Sequence, residues 1–529
     1  MFNGTSMAAP QAAGAAALLV SAAQQAGVQH QPAQIRQAFN SSARFITGRY
    51  QAYEQGNGLI NVGAAWNLLS TNINTAEIAG AVPVNTVLAG FLAAPGVGVG
   101  IHDREGVTIG TTYTRTYTLV RSHGGAQPIT YNVSWVGNDG TFSSAATVAL
   151  PGNKPVSFPV GINPSTAGAH SAILNLDDPG TTGIDYQTMN VVVAPYEFNA
   201  PNYSVSVSGS LDRNQTTSHF FRVPTGTPAF KVDLSGPSTA AGTGQIRFLR
   251  FHPYGVAIDS NASTANYCPS ATAPATCPAS ALSRTTTNPQ AGVWEVTVEA
   301  RRTSDTAIGA YSLTASILGA SVSPNPDIIA SATVGVPVAR SYTLTNLFGA
   351  FTGRGVGTTF GSAFRDVPTI ANLDFQVYPV TVTAGSTSLR ATIGGTSDPA
   401  ADLDLYVFNC TSLPCVLAGL SADGDSEESV TIANPAAGAW IVLIDGFAVP
   451  AGITTYNYVD VFTNAAFGSV SVTDANALRP AGASWVVPGS VTANAAPAAG
   501  RVLLGNVEVR TDTNILIGSG DVIVQSVTP

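Results

Sequence analysis

Two periodicities divide the chain. Up to about residue 70 the apolar positions recur at helical spacing, and beyond it they alternate in short runs broken by Gly, Pro and Asn. In the first region Ser6 is positioned to cap an alanine-rich helix running to about Gln25, with Gly27 near its end. A second helix fits Pro32 to Ser41, where Ile35, Ala38 and Phe39 make an apolar stripe, and Gly56-Asn57-Gly58 marks a tight turn before a short helix from Val62 to Leu69.

Past Ser70 the β-rich runs Tyr113 to Val120, Ile129 to Val136, Ala172 to Leu176 and Met189 to Val193 predict an antiparallel sandwich over 98–196, preceded by a linker at 73–97. A second β unit, 200–320, contains His219 to Val223, Lys231 to Leu234 and Gly292 to Ala300, and a third covers 330–463. These two units share an internal echo. "NPQAGVWEVTVEA" at Asn288 to Ala300 and "NPAAGAWIVLIDG" at Asn434 to Gly446 each set a Pro/Gly turn before an alternating strand that carries Trp into a core. Residues 464–529 read either as a small β region or as the tail of a larger one.

Composition narrows the partners. Of 529 residues only 10% are charged, with 22 Lys+Arg against 31 Asp+Glu, a net charge of -9, and only two lysines, Lys154 and Lys231. No basic cluster exists to neutralise a run of phosphates or an anionic membrane, so nucleic acid is not expected as a partner. Ala8 to Ala26 is alanine-rich and interrupted by Gln11, Gly14, Ser21, Gln24 and Gln25, which argues against a transmembrane helix. The four cysteines form two local pairs, Cys268/Cys277 and Cys410/Cys415, whose spacing suits loop-closing disulfides in an oxidising compartment and leaves free thiols as the alternative.

Candidate chemistry begins at residue 4. "GTSMAAP", formed by Gly4, Thr5, Ser6, Met7, Ala8, Ala9 and Pro10, precedes the small-residue helix, and "GNGLINVGAAW" follows at Gly56 to Trp66. A serine hydroxyl at a helix N-terminus lies near unpaired N–H groups and the positive end of the peptide dipoles, where an acyl-transfer oxyanion is stabilised. The alternative is a plain helix cap followed by helix-forming alanines. Together these segments resemble the nucleophile region and the end of the catalytic domain in subtilisin-like serine peptidases, with a flavour of the tripeptidyl-peptidase II-type branch and its bacterial secreted relatives. The resemblance implies a fold that is multidomain: the C-terminal remnant of an α/β subtilisin-like domain over 1–72, followed by several antiparallel β sandwiches.

It also implies that Ser6 is the nucleophile of a serine endopeptidase acting on protein or peptide substrates, with no cofactor required for catalysis. Nucleophilic catalysis needs a histidine to take the serine proton and an acid to orient it. All six histidines, His30, His102, His123, His170, His219 and His252, lie after Ser6, whereas the family order places Asp and His before the serine. The chain by itself is therefore expected to be inactive. A signal segment for export is expected to have been lost along with the Asp and His segments.

The β units resemble accessory domains of secreted peptidases: a fibronectin type III-like sandwich over 98–196 and two prepeptidase C-terminal-like domains, the second carrying "DLDLYVFN" and "NPAAGAW". Asp402 and Asp404 alternate along one strand, with Asp423, Asp425, Glu427 and Glu428 in a later loop, so the set reads either as a structural calcium site or as a solvated acidic face. Nothing sets the separation of these carboxylates for a glycosidase pair. Trp485, Tyr456 and Tyr458 are candidates either for contact with a surface polymer or for ordinary core positions. The rival reading of the whole chain is a non-enzymatic accessory, substrate-binding or cell-surface module.

Overall fold

The computed structural model describes residues 4–71, 73, 77–235, 244–259, 282–304 and 306–529. Four helices open the chain: α1 (Thr5–Ala26), α2 (Pro32–Ser42), α3 (Ala52–Gln55) and α4 (Val62–Ser70). Leu19, Ala23, Ala38, Ala65, Leu69 and Ile73 pack into one small core. Gly4, at φ 133°, is the N-cap of α1, so Ser6 is the second helical residue and does not cap it, contrary to the sequence expectation. Gly27 ends α1 in the left-handed conformation at φ 68°, where its N–H reaches the Ala23 and Gln24 carbonyls. At the Gly56-Asn57-Gly58 turn, a Cβ on Gly58 would come within 2.3 Å of the Arg44 carbonyl oxygen, so only glycine fits.

Among the described residues α1 is the one helix long and apolar enough, by length and composition, to cross a membrane. Its apolarity comes from alanine more than from large side chains, and Leu19 and Ala23 spend it on the small helical core.

The first sandwich runs from Ile78 to Ala194. One sheet has the order Val97–Gly98, Ile78–Pro83, Tyr113–Arg121, Pro155–Ile162, Phe142–Ser144; the other has His102–Asp103, Tyr186–Ala194, Gly168–Asp177, Ile129–Val136, Thr147–Leu150. Tyr117, Tyr131, Phe158 and Leu174 fill the space between them. The expected linker therefore belongs in large part to the sandwich, because Ile78 to Ala81 pair with Thr118 to Arg121.

In the second sandwich Tyr196–Glu197, Thr216–Val223, Gly292–Ala300 and Ile246–Phe251 face Ser204–Asp212, Ile308–Leu318, Ala229–Ser235 and Leu282–Thr287. From Ala320 onward the strands interleave. A nine-stranded sheet joins Asp327–Ile329, Leu516–Val524 and Val502–Thr511 to Gly361–Asp366, Asn457–Thr463, Ser388–Gly394 and Ser429–Ala433, with Phe351–Gly357 and Ala477–Arg479 branching from Val502–Thr511.

One end of this sheet is covered by Ala320–Ser323, Val338–Asn346, Ser484–Ala493 and Gly468–Val472. The other end is covered by Phe375–Val382, Gly438–Ala448, Asp402–Asn409 and Val416–Ser421. A single hydrophobic core, from Tyr342 to Trp440 and Val524, runs through both. Residues 464–529 are thus the closing strands of a body that starts at Ala320, not a separate small region, since Gly505 to Arg510 pair with Leu516 to Val522 and Val356 with Glu508.

The Trp echo is a true structural repeat. Asn288 and Asn434 hold φ 45° and 48°, Gly292 and Gly438 both hold φ 129°, and the Trp294 and Trp440 indole N–H groups donate to Gln290 O at 2.8 Å and Ala436 O at 2.9 Å. Both rings are buried. The turn carries the indole partner four residues upstream, so fold and side-chain satisfaction are specified together.

The units are joined by specific contacts. Tyr53 N–H donates to Ser171 Oγ at 3.1 Å, Arg49 pairs with Asp212 at 3.1 Å, and Gln215 donates to the Tyr50 hydroxyl at 3.2 Å. The helical segment is thereby held against the first and second sandwiches.

Candidate active-site segment and acidic centre

Ser6 sits on the exposed first turn of α1, where the Met7 and Ala8 N–H groups turn back to Gly4 O at 3.0 and 3.2 Å. Pro10 has no N–H, so the Ser6 carbonyl has no partner one turn on. Ala8, Ala9 and Ala12 are exposed rather than buried in a tight core, because the helical cluster reaches α1 only from Ala15 onward. Beside them a groove of about 410 Å³ is lined by Ala12, Ala16, Ile35, Phe39 and Ile60.

Among the described residues no histidine is hydrogen bonded to Ser6. His30 reaches the Val28 carbonyl, His123 takes the Glu77 N–H, His219 meets the Tyr311 hydroxyl, and His252 takes the Tyr254 N–H. His102 lies on the short strand His102–Asp103 of the first sandwich. His170 is buried with Nδ1 2.6 Å from Asp139 and Nε2 2.9 Å from the Thr166 carbonyl. Each histidine is accounted for by its own sandwich or by its own turn.

The acidic residues separate into two groups. Carboxylate oxygens of Asp423, Asp425 and Glu428 lie within 4.8 Å of one another. Glu428 is buried and accepts from the Ser421 hydroxyl and, at 3.1 Å, from Asp423 N–H; burial holds its carboxyl above the usual range. Asp402 turns one buried oxygen that finds no donor, and burial, then Asp404, Asp423 and Asp425, push its carboxyl up.

Asp404 is drawn away from this group. A bulge between Asp402 and Asp404 shifts the register, leaving Asp404 opposite Asp445 with the Tyr406 hydroxyl donating to it at 3.0 Å. Asp423, Asp425 and Glu428 line a cleft of about 1250 Å³ whose opposite wall is the Asn288 to Ala291 turn of the second sandwich. A loop of alternating acids was visible in the sequence; the bulge was not.

Cys410 and Cys415 are joined as a disulfide, whereas Cys268 and Cys277 lie outside the described residues. Of the aromatic candidates, the two tyrosines take the ordinary core positions, and Trp485 is half-buried. Tyr456 and Tyr458 are fully buried, the first donating to Gln376 at 2.6 Å and the second stacked on Tyr378 at 3.7 Å. Trp485 donates to Asp474 at 2.9 Å with Arg479 over its ring.

Comparison with known proteins follows this division of the chain. Residues 1–58 match the subtilase family, 80–194 the Ig-like domain in actinomycete serine proteases, and 374–446 the bacterial pre-peptidase C-terminal domain. Pyrolysin of Pyrococcus furiosus is 23% identical over 472 residues, covering 84% of this chain and 30% of that protein. Tripeptidyl-peptidase 2 of Drosophila melanogaster is 34% identical over 107 residues, 20% of this chain and 7% of that protein. A crystal structure of tripeptidyl peptidase 2 aligns over 100% of this chain and 46% of its own, at 13% identity and TM-score 0.48. The chain thus spans less than half the length of each of these relatives.

Proposed function

We propose, from the match of residues 1–58 to the subtilase family, that Ser6 is the nucleophile of a serine endopeptidase whose proton-accepting histidine and orienting acid come from outside these 529 residues. The observation that carries this reading is Gly4 to Pro10 standing as "GTSMAAP" on the exposed N-terminal turn of α1. In that role Ser6 Oγ attacks the peptide carbonyl as its proton passes to the histidine. The amine leaves with that proton, and water then releases the acyl group. The helix N-terminus favours the negative charge that develops on the carbonyl oxygen.

The pre-peptidase C-terminal match supports an exported protein, and the acidic centre supports a structural calcium. Asp423, Asp425 and Glu428 supply hard oxygen ligands, and the unpartnered Asp402 oxygen adds a fourth carboxylate that raises the local negative charge. Bound by these residues, calcium would pin the Asp423 to Glu428 loop and would supply no chemistry to peptide cleavage.

Protein isolated from its source cells and treated with a fluorophosphonate should carry the adduct on Ser6, located by peptide mass mapping. The 529-residue chain expressed alone should not hydrolyse peptides, and its Ser6→Ala variant should behave the same. An adduct on another residue, or turnover by the lone chain that Ser6→Ala abolishes, would overturn the reading.

A further inference from the structure

Three strands of each Trp-bearing sheet share one register counted from their common turn: Thr216–Val223, Gly292–Ala300 and Ile246–Phe251 in the second sandwich, and Phe375–Val382, Gly438–Ala448 and Asp402–Asn409 in the sheet that, with Val416–Ser421 on its other edge, forms the outer sheet of a third sandwich. Val223 pairs with Gly292 as Val382 pairs with Gly438, so Glu299 occupies the place of Asp445 and Arg247 the place of Asp404. In the second sandwich that position is an ion pair, with Arg247 Nε 2.6 Å from Glu299 Oε2. In the third it is two carboxylates directly opposite one another. Among the described residues neither Asp404 nor Asp445 is paired with a cation, and burial together with Asp404 holds the Asp445 carboxyl above its usual range. Like charges facing across a strand pair are destabilising unless something outside the sheet compensates them.

The same outer face also changes in polarity. Ser218 and Thr297 of the second sandwich, whose hydroxyls lie 2.9 Å apart, correspond to Val377 and Leu443 of the third. Val377, Leu443, Tyr406 and Leu420 stand side by side across all four strands, and next to Asp445 stands Phe375. Phe375 is 63% exposed and Val377 46%, so this row faces solvent. Asp404 is buried beneath the Tyr406 hydroxyl and Asp445 is half-buried, so an uncovered apolar strip lies beside an acid pair that has no cation and opens to solvent through Asp445.

What covers the sister face indicates the chemistry. Arg104, from the first sandwich, donates to the Val293 carbonyl at 2.8 Å, lies 5.4 Å over the Phe220 ring and stands 3.9 Å from Glu295, while Val193 packs on Phe220 and Val293. A basic side chain carried just past a neighbouring strand, with an apolar residue of the adjacent strand beside it, thus closes the outer face of the second sandwich.

We propose that the outer face of the third sandwich docks a polypeptide segment of another protein, its arginine or lysine reaching Asp404 and Asp445 while its apolar side chains cover the row from Val377 to Leu420. Alternating side chains of an extended segment place a cation and an apolar group at neighbouring positions on one face, as this surface requires. A guanidinium is the better fit, since its fork can bond Asp445 while its charge offsets the buried Asp404 beside it and its plane stacks on Tyr406. None of this depends on Ser6, so its failure would leave the peptidase reading untouched.

The test uses the full 529-residue chain and a labelled synthetic peptide, Val-Arg-Val-Leu-Val, with a control in which uncharged citrulline replaces arginine. Fluorescence anisotropy should show binding of the arginine peptide and weaker binding of the control. Asp404→Arg, which rebuilds the sister ion pair with Asp445, should weaken binding by about tenfold or more while raising the thermal midpoint. Val377→Ser with Leu443→Thr, copying Ser218 and Thr297, should weaken it with the fold retained. Equal binding of the citrulline peptide, no binding of the arginine peptide at millimolar concentration, or unchanged affinity in Asp404→Arg would overturn the proposal. So would a dimer in sedimentation that Asp404→Arg dissolves, because the occupant would then be a second copy of this chain.

Discussion

Replacing Asp139 by Asn should loosen the first sandwich in acid more than in alkali. The wild-type pair joins a buried His170 to Asp139 at 2.6 Å, and the second ring nitrogen is held by the Thr166 carbonyl. Burial pushes His170 down, but its hydrogen bonds to Asp139 and Thr166 more than offset this and leave it raised. Burial likewise opposes ionisation of Asp139, yet the bonds from His170 and Thr141 bring it from 3.8 to about 2. Taken at face value, that shift is about 2.4 kcal/mol. Asp139 is 38% exposed, so solvent screening reduces the figure to about 1 kcal/mol.

The signs define the window. Raised in the folded state, His170 contributes fully below its unfolded value of about 6.5 and loses that contribution as pH rises through its folded value. Depressed in the folded state, Asp139 contributes above its unfolded value and loses it as pH falls through about 2. Hydrogen exchange of Gly168–Asp177 in wild type and Asp139→Asn, compared at the same pH so that intrinsic rates cancel, reads the difference. At about pH 5 the variant should exchange roughly fivefold faster, a ratio that shrinks by about pH 9. Asn retains the side-chain oxygen that accepts from Thr141 N–H at 3.1 Å, so the turn itself survives. A ratio that does not change with pH would refute the charged-pair account.

Two further outcomes follow from the repeat and from the acidic loop. Trp440→Leu should lower stability by about 2 to 4 kcal/mol, from cavity and from the orphaned Ala436 carbonyl, and Trp294→Leu should match it; unequal losses in denaturant unfolding would count against equivalent turns. Millimolar calcium should raise the unfolding midpoint, by about 2.7 kcal/mol of stability at a hundredfold excess over Kd, and Asp423→Asn with Asp425→Asn should remove that gain; no binding heat in isothermal titration would leave the cluster as solvated acid.

Much of this was legible in the residues. Helix ends followed Gly27, Pro32 and the Gly56-Asn57-Gly58 turn, because caps and breakers act locally. The Trp repeat was readable for the same reason: a turn, a strand and an indole partner lie within seven residues. Strand partnership was not. Nothing in Ile78 to Pro83 announces that it will pair with Tyr113–Arg121, and nothing in Val502–Thr511 points back to Phe351–Gly357, since alternation specifies a buried face but not the neighbour. At the acidic site the residue types were visible, while a single bulge decided that Asp402 and Asp404 have different company.

The interleaved body beginning at Ala320 also constrains the order in which the chain can be assembled. Asp327 pairs in parallel with Val522 and Ala332 with Val527, partners about 195 residues apart, so these ladders must wait until that intervening stretch has left the ribosome. The Trp440 sheet between them, Phe375–Val382 with Gly438–Ala448 and Asp402–Asn409, is complete on paper some 75 residues earlier and can collapse while synthesis continues. Until the last strands arrive, Ala320–Ser323 and Val338–Asn346 expose apolar faces and unpaired edges. The interval between synthesis of Val338–Asn346 and synthesis of Val502–Thr511 and Leu516–Val524 is therefore when this part of the polypeptide is most exposed to misassembly.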